Sequence, residues 1–161
     1  MINEARAQSD DGAITILVDG DACPVKEEVY KVAFRHEIAV ILVANNGIRV
    51  PRHPLISMVI VSDGFDAADD YIAERARENT IVITADILLA ERALKMSAPV
   101  LAPNGKAFTH DTIGSAIAVR AIMADLRGGG DQIGGPPPFS KSDRSRFLST
   151  LDEIVCAMKR S

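Results

Sequence analysis

The stretch "ITILVDGDACPVKEEVYKVAFRH", residues 14–36, decides the fold. The run Ile14–Val18 is continuously apolar rather than alternating, the pattern of a strand buried on both faces of a parallel sheet. It stops at Asp19-Gly20-Asp21, and a helical pattern begins behind Cys23-Pro24. Pro24 suits the first turn of a helix, where its missing N–H costs nothing. Val25, Val29, Val32 and Ala33 recur at helical spacing, while Lys26, Glu27, Glu28, Lys31 and Arg35 fall elsewhere. A buried strand feeding directly into an amphipathic helix is the opening of a βαβ unit.

Working outward, four more runs read as buried strands: Ala39–Ala44, Ile56–Val61, Thr80–Thr84 and Ala98–Leu101. Helical patterns lie over Asp66–Asn79, Ile87–Met96 and Thr109–Arg127, whereas "NNGIRVPRHP" between the second and third strands is a loop. The alternation predicts a three-layer α/β sandwich with a central, mainly parallel sheet flanked by helices. Past Arg127, "GGGDQIGGPPP" breaks regular structure with five glycines and three prolines. A last helix is expected from Ser140, where "SKSD" reads as a capping box, with Leu148, Leu151, Ile154, Val155 and Met158 as its apolar stripe. We read 1–12 as a loose N-terminal segment and 13–161 as one domain, with 128–161 as a helix tethered by the glycine-proline loop.

Composition narrows the functional classes. In 161 residues, aromatics make up 4% and Trp is absent, which removes the stacking platform of most single-strand binders. A formal charge of −4 argues against non-specific binding to nucleic acid, but a cluster of metal-binding acids would itself lower the charge. Cys23 and Cys156 are far apart and lack metal-type spacing, and His36, His53 and His110 are isolated, so zinc is disfavoured. Neither a signal-peptide pattern nor a membrane-length apolar run is visible, and a cytoplasmic location without membrane association is the expectation.

The acids carry the functional argument. Asp19 and Asp21 follow the first strand, Asn45 and Asn46 the second, Asp63 the third and Asp86 the fourth. In an open parallel sheet these strand ends share one edge, the usual ligand crevice. Asp66, Asp69 and Asp70 open the helix after the third strand and belong near the same edge. Carboxylates gathered without a cation raise one another's pKa, and a hard divalent ion, Mg²⁺ or Mn²⁺, relieves this. Such a site suits in-line phosphoryl displacement.

Each residue also has a simpler reading. Asp66 and Asp86 are both suited to capping helices, Asp69 and Asp70 to a helix dipole, and Asp63 before Gly64 to a turn. Asp21 is either an auxiliary ligand or a cap for the helix near Pro24. Asp19 resists these explanations, because a carboxylate rarely ends a buried strand without a function. Cys23 at a helix start would have a lowered thiol pKa, yet it reads better as a small packing residue. Asn45, Arg49 and Thr84 border the expected crevice as candidate substrate contacts. Arg144 could fold back toward it, to meet a phosphate or pair with an acid.

Two resemblances follow. "ADDYIAERARENTIVITAD", residues 68–86, resembles the signature of PIN-like nuclease domains, with Ala68-Asp69, Ile72-Ala73 and Thr84-Ala85-Asp86 at the matching positions. "VDGDACPVKEEVYKVA", "LVANNGIRVP", "GFDAADDYIA", "VITADILLAERAL" and "GGPPPFSKSDRSRFLSTL" are together similar to the YaiI/YqxD family of bacterial proteins. The likeness implies a PIN-like fold and makes Gly134-Gly135-Pro136 and Asp143-Arg144 part of a family signature. By analogy it also implies a metal-dependent ribonuclease acting on single-stranded RNA. Asp19, Asp69 and Asp86 would hold one or two Mg²⁺ or Mn²⁺ ions and, with Asp21, form the catalytic set. Two rivals stand beside it. "ILVDGDAC" resembles the Asp-x-Asp of haloacid-dehalogenase phosphatases, which would make Asp19 a nucleophile and Asp21 an acid/base. A non-catalytic nucleic-acid or protein binding module would keep the fold alone.

Overall fold

The computed structural model describes residues 12–21, 23–62, 64, 66–128 and 139–160. These residues form six strands and five helices in the order β1 (Thr15–Asp19), α1 (Lys26–His36), β2 (Ala39–Ala44), β3 (Ile56–Ile60), α2 (Ala67–Arg75), β4 (Thr80–Ile83), α3 (Ile87–Lys95), β5 (Val100–Leu101), β6 (Ala107–Phe108), α4 (His110–Gly128) and α5 (Lys141–Arg160). The sheet order is β3-β2-β1-β4-β5-β6; β1 to β5 pair in parallel, and β6 runs antiparallel at the edge. The expected α/β sandwich is the observed one.

Pleating sorts the strand residues between two cores. Ile16 and Val18 of β1, Val40 and Leu42 of β2, and Ile81 and Ile83 of β4 face α1 and α5, meeting Val29, Val32, Phe147, Leu151 and Val155. Leu17, Ile41, Val43 and Val82 face the opposite layer, meeting Ile72 of α2, Leu89 and Ala93 of α3, and Ile113 of α4. Apolar residues on both faces explain why the strands read as continuous runs. The connection from β2 to β3 has no helix, and its Val50 and Leu55 pack on the α1 side instead.

Local differences have local causes. The fifth strand shortens to Val100–Leu101, because Ser97 is left-handed (φ 66°) and Pro99 has no N–H for the ladder. β6 is too short to have left a pattern in the sequence. α2 stops at Arg75 rather than Asn79: Ala76 is extended, and Thr80 N–H bonds the Arg77 carbonyl in the turn that feeds β4. α1 starts at Lys26, so Pro24 precedes the helix rather than opening it. The capping box forms as expected: Ser140 N–H donates to Asp143 Oδ2 at 3.0 Å, and Asp143 N–H to Ser140 Oγ at 3.1 Å. Asp63, Gly134-Gly135-Pro136 and the segment 1–11 lie outside the described residues.

Candidate active site

The chain reverses its direction of sheet growth between β1 and β4. β2 and β3 are added on one side of β1, β4 and β5 on the other. Such a switch point leaves a crevice beyond the carboxyl ends of the strands. Here it is a cavity of about 230 Å³ lined by Asp19, Asp21, Asn45, Gly64, Asp66, Ala67, Ala68 and Asp69.

Register places the first acid. Asp19 is level with Val43 of β2, and Val18 with Ile83 of β4, so Thr84 comes abreast of Asp19. The Thr84 hydroxyl donates to Asp19 Oδ2 at 3.0 Å and accepts the Asp86 N–H at 3.0 Å. Thr84 is buried at 2% exposure, so its hydroxyl braces two acids rather than facing the cavity. Gly20 explains the spacing of "VDGDA". Its N–H bonds the Val43 carbonyl at 2.8 Å. A Cβ there would sit 3.1 Å from both that oxygen and Ile48 Cδ1. Asp21 then turns outward and accepts the Asn45 N–H at 3.0 Å, while Asn45 Nδ2 donates to the Ser62 carbonyl at 2.7 Å. These bonds tie the β1, β2 and β3 ends together around the rim.

Asp86 caps α3, its Oδ1 accepting from Leu88 and Leu89 N–H at 2.9 and 3.2 Å. It is not among the cavity-lining residues, yet its charge acts on the Asp69 carboxyl. Asp69 is pushed up to about 6, first by burial, then by Asp86, Asp19 and Asp66. Burial also raises Asp19, with Asp21 and Asp86 adding to the effect and the Thr84 hydroxyl opposing it.

Neighbouring acids part company. Asp70 turns to Arg92 of α3 at 2.9 Å and leaves the cavity. Asp66, expected as a cap, makes no side-chain cap bond; its left-handed backbone (φ 66°) directs it instead into the cavity lining. Its i,i+3 spacing to Asp69 was the available signal, since residues three apart share a helix face. Arg49 is exposed on the β2–β3 loop and is not among the lining residues. Arg144 folds back and pairs with an acid outside the crevice, donating to the Pro24 carbonyl at 2.7 Å and Glu28 Oε1 at 3.3 Å. Cys23 is buried and its thiol is raised by that burial, in keeping with a packing role.

The fit to a divalent ion rests on donor chemistry. Asp19, Asp69 and Asp86 offer oxygen alone, from three separate segments, and the charges of Asp86 and Asp19 both act to raise Asp69. Among the described residues, the trio of ligand-type atoms that closes to within 4.8 Å is a different one: His36, Asp152 and Cys156. That trio already has another explanation. His36 Nε2 meets Asp152 Oδ1 at 2.7 Å, and Arg35 Nη1 lies 3.7 Å from the same oxygen. Lys159 Nζ donates to the His36 carbonyl at 3.2 Å. The carboxylate is thus neutralised by side chains, and the group staples α5 to α1.

A family model described as "Uncharacterized BCR, YaiI/YqxD family" matches residues 17–157, from β1 through most of α5. The chain belongs to the YaiI/YqxD family. Its similarity to UPF0178 proteins agrees. It is 66% identical over 149 residues to one from Sphingopyxis alaskensis, covering 92% of this chain and 97% of the relative. One from Rhodopseudomonas palustris is 56% identical over 150 residues, with 93% and 95% covered. One from Jannaschia is 56% identical over 146 residues, with 89% and 94% covered. The YaiI/YqxD match therefore takes in the crevice acids and, of the α5 staple, Arg35, His36, Asp152 and Cys156. No helix among the described residues is long and apolar enough to cross a membrane.

Proposed function

We propose that the crevice is the active site of a divalent-metal-dependent, PIN-like phosphodiesterase that cleaves single-stranded RNA. One observation carries this reading. Acids from the end of β1, the first turn of α2 and the cap of α3 act on one another with no neutralising Arg or Lys among the cavity-lining residues, and Asp69 is raised to about 6 by burial and then by Asp86, Asp19 and Asp66. Clustered acids at this cost in stability are a mark of function. Asp19, Asp69 and Asp86 would hold Mg²⁺ or Mn²⁺, which when bound supplies Lewis-acid stabilisation of phosphoryl charge. Thr84 fixes the Asp19 carboxylate, and the α3 N-terminus fixes Asp86, so that the donors are held in place beforehand. Asp21, at the rim and held by the Asn45 N–H, orients water or substrate.

The test is cleavage of single-stranded RNA by purified protein with Mn²⁺, beside the same protein in chelator and beside Asp19→Asn. Cleavage restricted to the wild type with metal is the expected result. Equal cleavage by wild type and variant would overturn the proposal. Mn²⁺ titration followed by electron paramagnetic resonance gives a separate readout: if no ion binds, a non-catalytic binding module becomes the better account.

A further inference from the structure

The connection between β2 and β3 differs in charge from the rest of the chain. Against a formal charge of −4 overall, residues 38–62 contain no Asp or Glu, and they carry Arg49 and Arg52. Arginines elsewhere have carboxylates beside them: Arg35 meets Asp152, Arg92 meets Asp70 and Arg144 meets Glu28. Arg49 and Arg52 are exposed and have no such partner among the described residues. Two guanidinium groups left unneutralised in an acidic protein select an anion, and the planar fork of Arg suits phosphate.

The path of the backbone gives these cations a direction. β2 ends at Ala44, level with Ile60, whereas β3 starts at Ile56, level with Val40. The connection therefore runs back along the sheet for the length of a strand, about 13 Å at the usual rise per residue. It starts at Asn45, in the cavity lining, and Val50 and Leu55 hold its further course against the α1-side core. Arg49 and Arg52 follow in that order, and the exposed His53 comes next. The His53 ring lies 4.5 Å from that of Phe34, near the end of α1, at a tilt of 41°. Leu55 N–H donates to His53 Nδ1 at 3.1 Å and fixes the imidazole, while Phe34 is 39% exposed. Aromatic residues are few in this chain, yet one exposed ring held in position is enough to stack one unpaired base, whatever its identity.

We propose that the β2–β3 connection is the track on which single-stranded RNA enters or leaves the crevice, with Arg49 and Arg52 holding backbone phosphates and the Phe34–His53 pair stacking a base. This rests on the crevice being a phosphodiesterase site and adds the side on which the strand lies, the β3 end of the sheet. The length of the track corresponds to about four phosphates at the ~3.4 Å charge spacing of one strand. A paired base would have no free face for Phe34, so the track favours a single strand over a duplex.

Fluorescence anisotropy of a short fluorescein-labelled oligoadenylate tests this, with the protein in chelator so that the probe stays intact and circular dichroism to verify folding. Arg49→Glu and Arg52→Glu should each weaken binding by about tenfold and lower the slope of log affinity against log salt by about 0.7. Lys106→Glu makes the same charge change on the exposed turn between β5 and β6, at the other end of the sheet, and should cost about twofold or less. Phe34→Leu keeps apolar bulk without the ring and should weaken binding by about fivefold or more at an unchanged salt slope, and Phe34→Tyr should bind as wild type does. If wild type binds in this pattern but does not cleave with Mn²⁺, the track stands as a strand-binding surface and the catalytic reading of the crevice falls. If wild type cleaves, yet Arg49→Glu and Arg52→Glu bind no more weakly than Lys106→Glu, the track alone is overturned. Phe34→Leu binding as tightly as wild type, or wild type failing to bind the probe, overturns it as well.

Discussion

The crevice and the α1–α5 seam are both built around carboxylates, and their acids have been treated in opposite ways. Along the seam Asp152, Asp143 and Glu28 each have a cation. Asp152 is held below the usual carboxylate range, first by His36 and then by Arg35. Asp143 is lowered by the Ser140 backbone N–H and by Arg146, and Glu28 meets Arg144 at 3.3 Å. In the crevice the nearest charges are other acids, and Asp19 and Asp69 are both raised. Seam acids help the fold, whereas crevice acids oppose it. Selection for stability alone would favour the seam pattern in both places.

The largest expected effect concerns activity. Asp19→Asn should lower Mn²⁺-dependent cleavage by on the order of hundredfold or more. Its unfolding midpoint in chelator should not fall, because an amide oxygen still accepts the Thr84 hydroxyl. A drop in stability comparable to that of a seam variant would erase the distinction between the two regions.

Next comes the seam itself. Phe147 is fully buried between α5 and the sheet, and Phe147→Ala should cost about 3–5 kcal/mol in denaturant unfolding. The ion pairs around it are only partly buried. If removing one of them cost as much as losing Phe147, charge rather than apolar burial would be holding α5.

The two smaller effects mirror one another in pH. Asp69 takes up a proton on folding, since its folded value of about 6 lies above the usual 3.8. Its cost to stability is absent below about pH 4, grows as pH rises toward 6 and is fully present beyond that. In chelator at pH 7, Asp69→Asn should therefore stabilise the protein, by roughly 1 kcal/mol once solvent screening is allowed for. The gain should vanish near pH 4, and Mn²⁺ should stabilise wild type but not the variant.

Asp152 has the opposite sign. Its contribution is present above the unfolded carboxylate range and is lost as pH falls through its lowered folded value. Asp152→Asn should lower the melting temperature at pH 7 by about 3 °C or less, with no difference left under strongly acidic conditions. Thermal melts of both variants at the two pH extremes would show the crossover. Parallel pH responses would mean that the two sets of acids are not different in kind.

Much of this molecule is determined by its sequence alone, because the signals are local. Continuous apolar runs announce strands buried on both faces, and the spacing of Val25, Val29 and Val32 announces a helix. The Ser140–Asp143 box and the Asp86 cap each depend on residues two or three positions apart. That Asp19 and Asp21 reach one crevice together with Asn45 also follows, since a parallel sheet brings those strand ends to one edge. What only the tertiary structure decided is which acids acquire a cation. Asp69 and Asp70 are adjacent, yet one lines the cavity among other acids and the other pairs with Arg92, 22 residues away. Asp66 looked like a cap and lines the cavity, and Arg144 reaches Glu28 across 116 positions. Hydrophobic periodicity is set by the geometry of one element, whereas charge compensation depends on which elements the fold brings side by side.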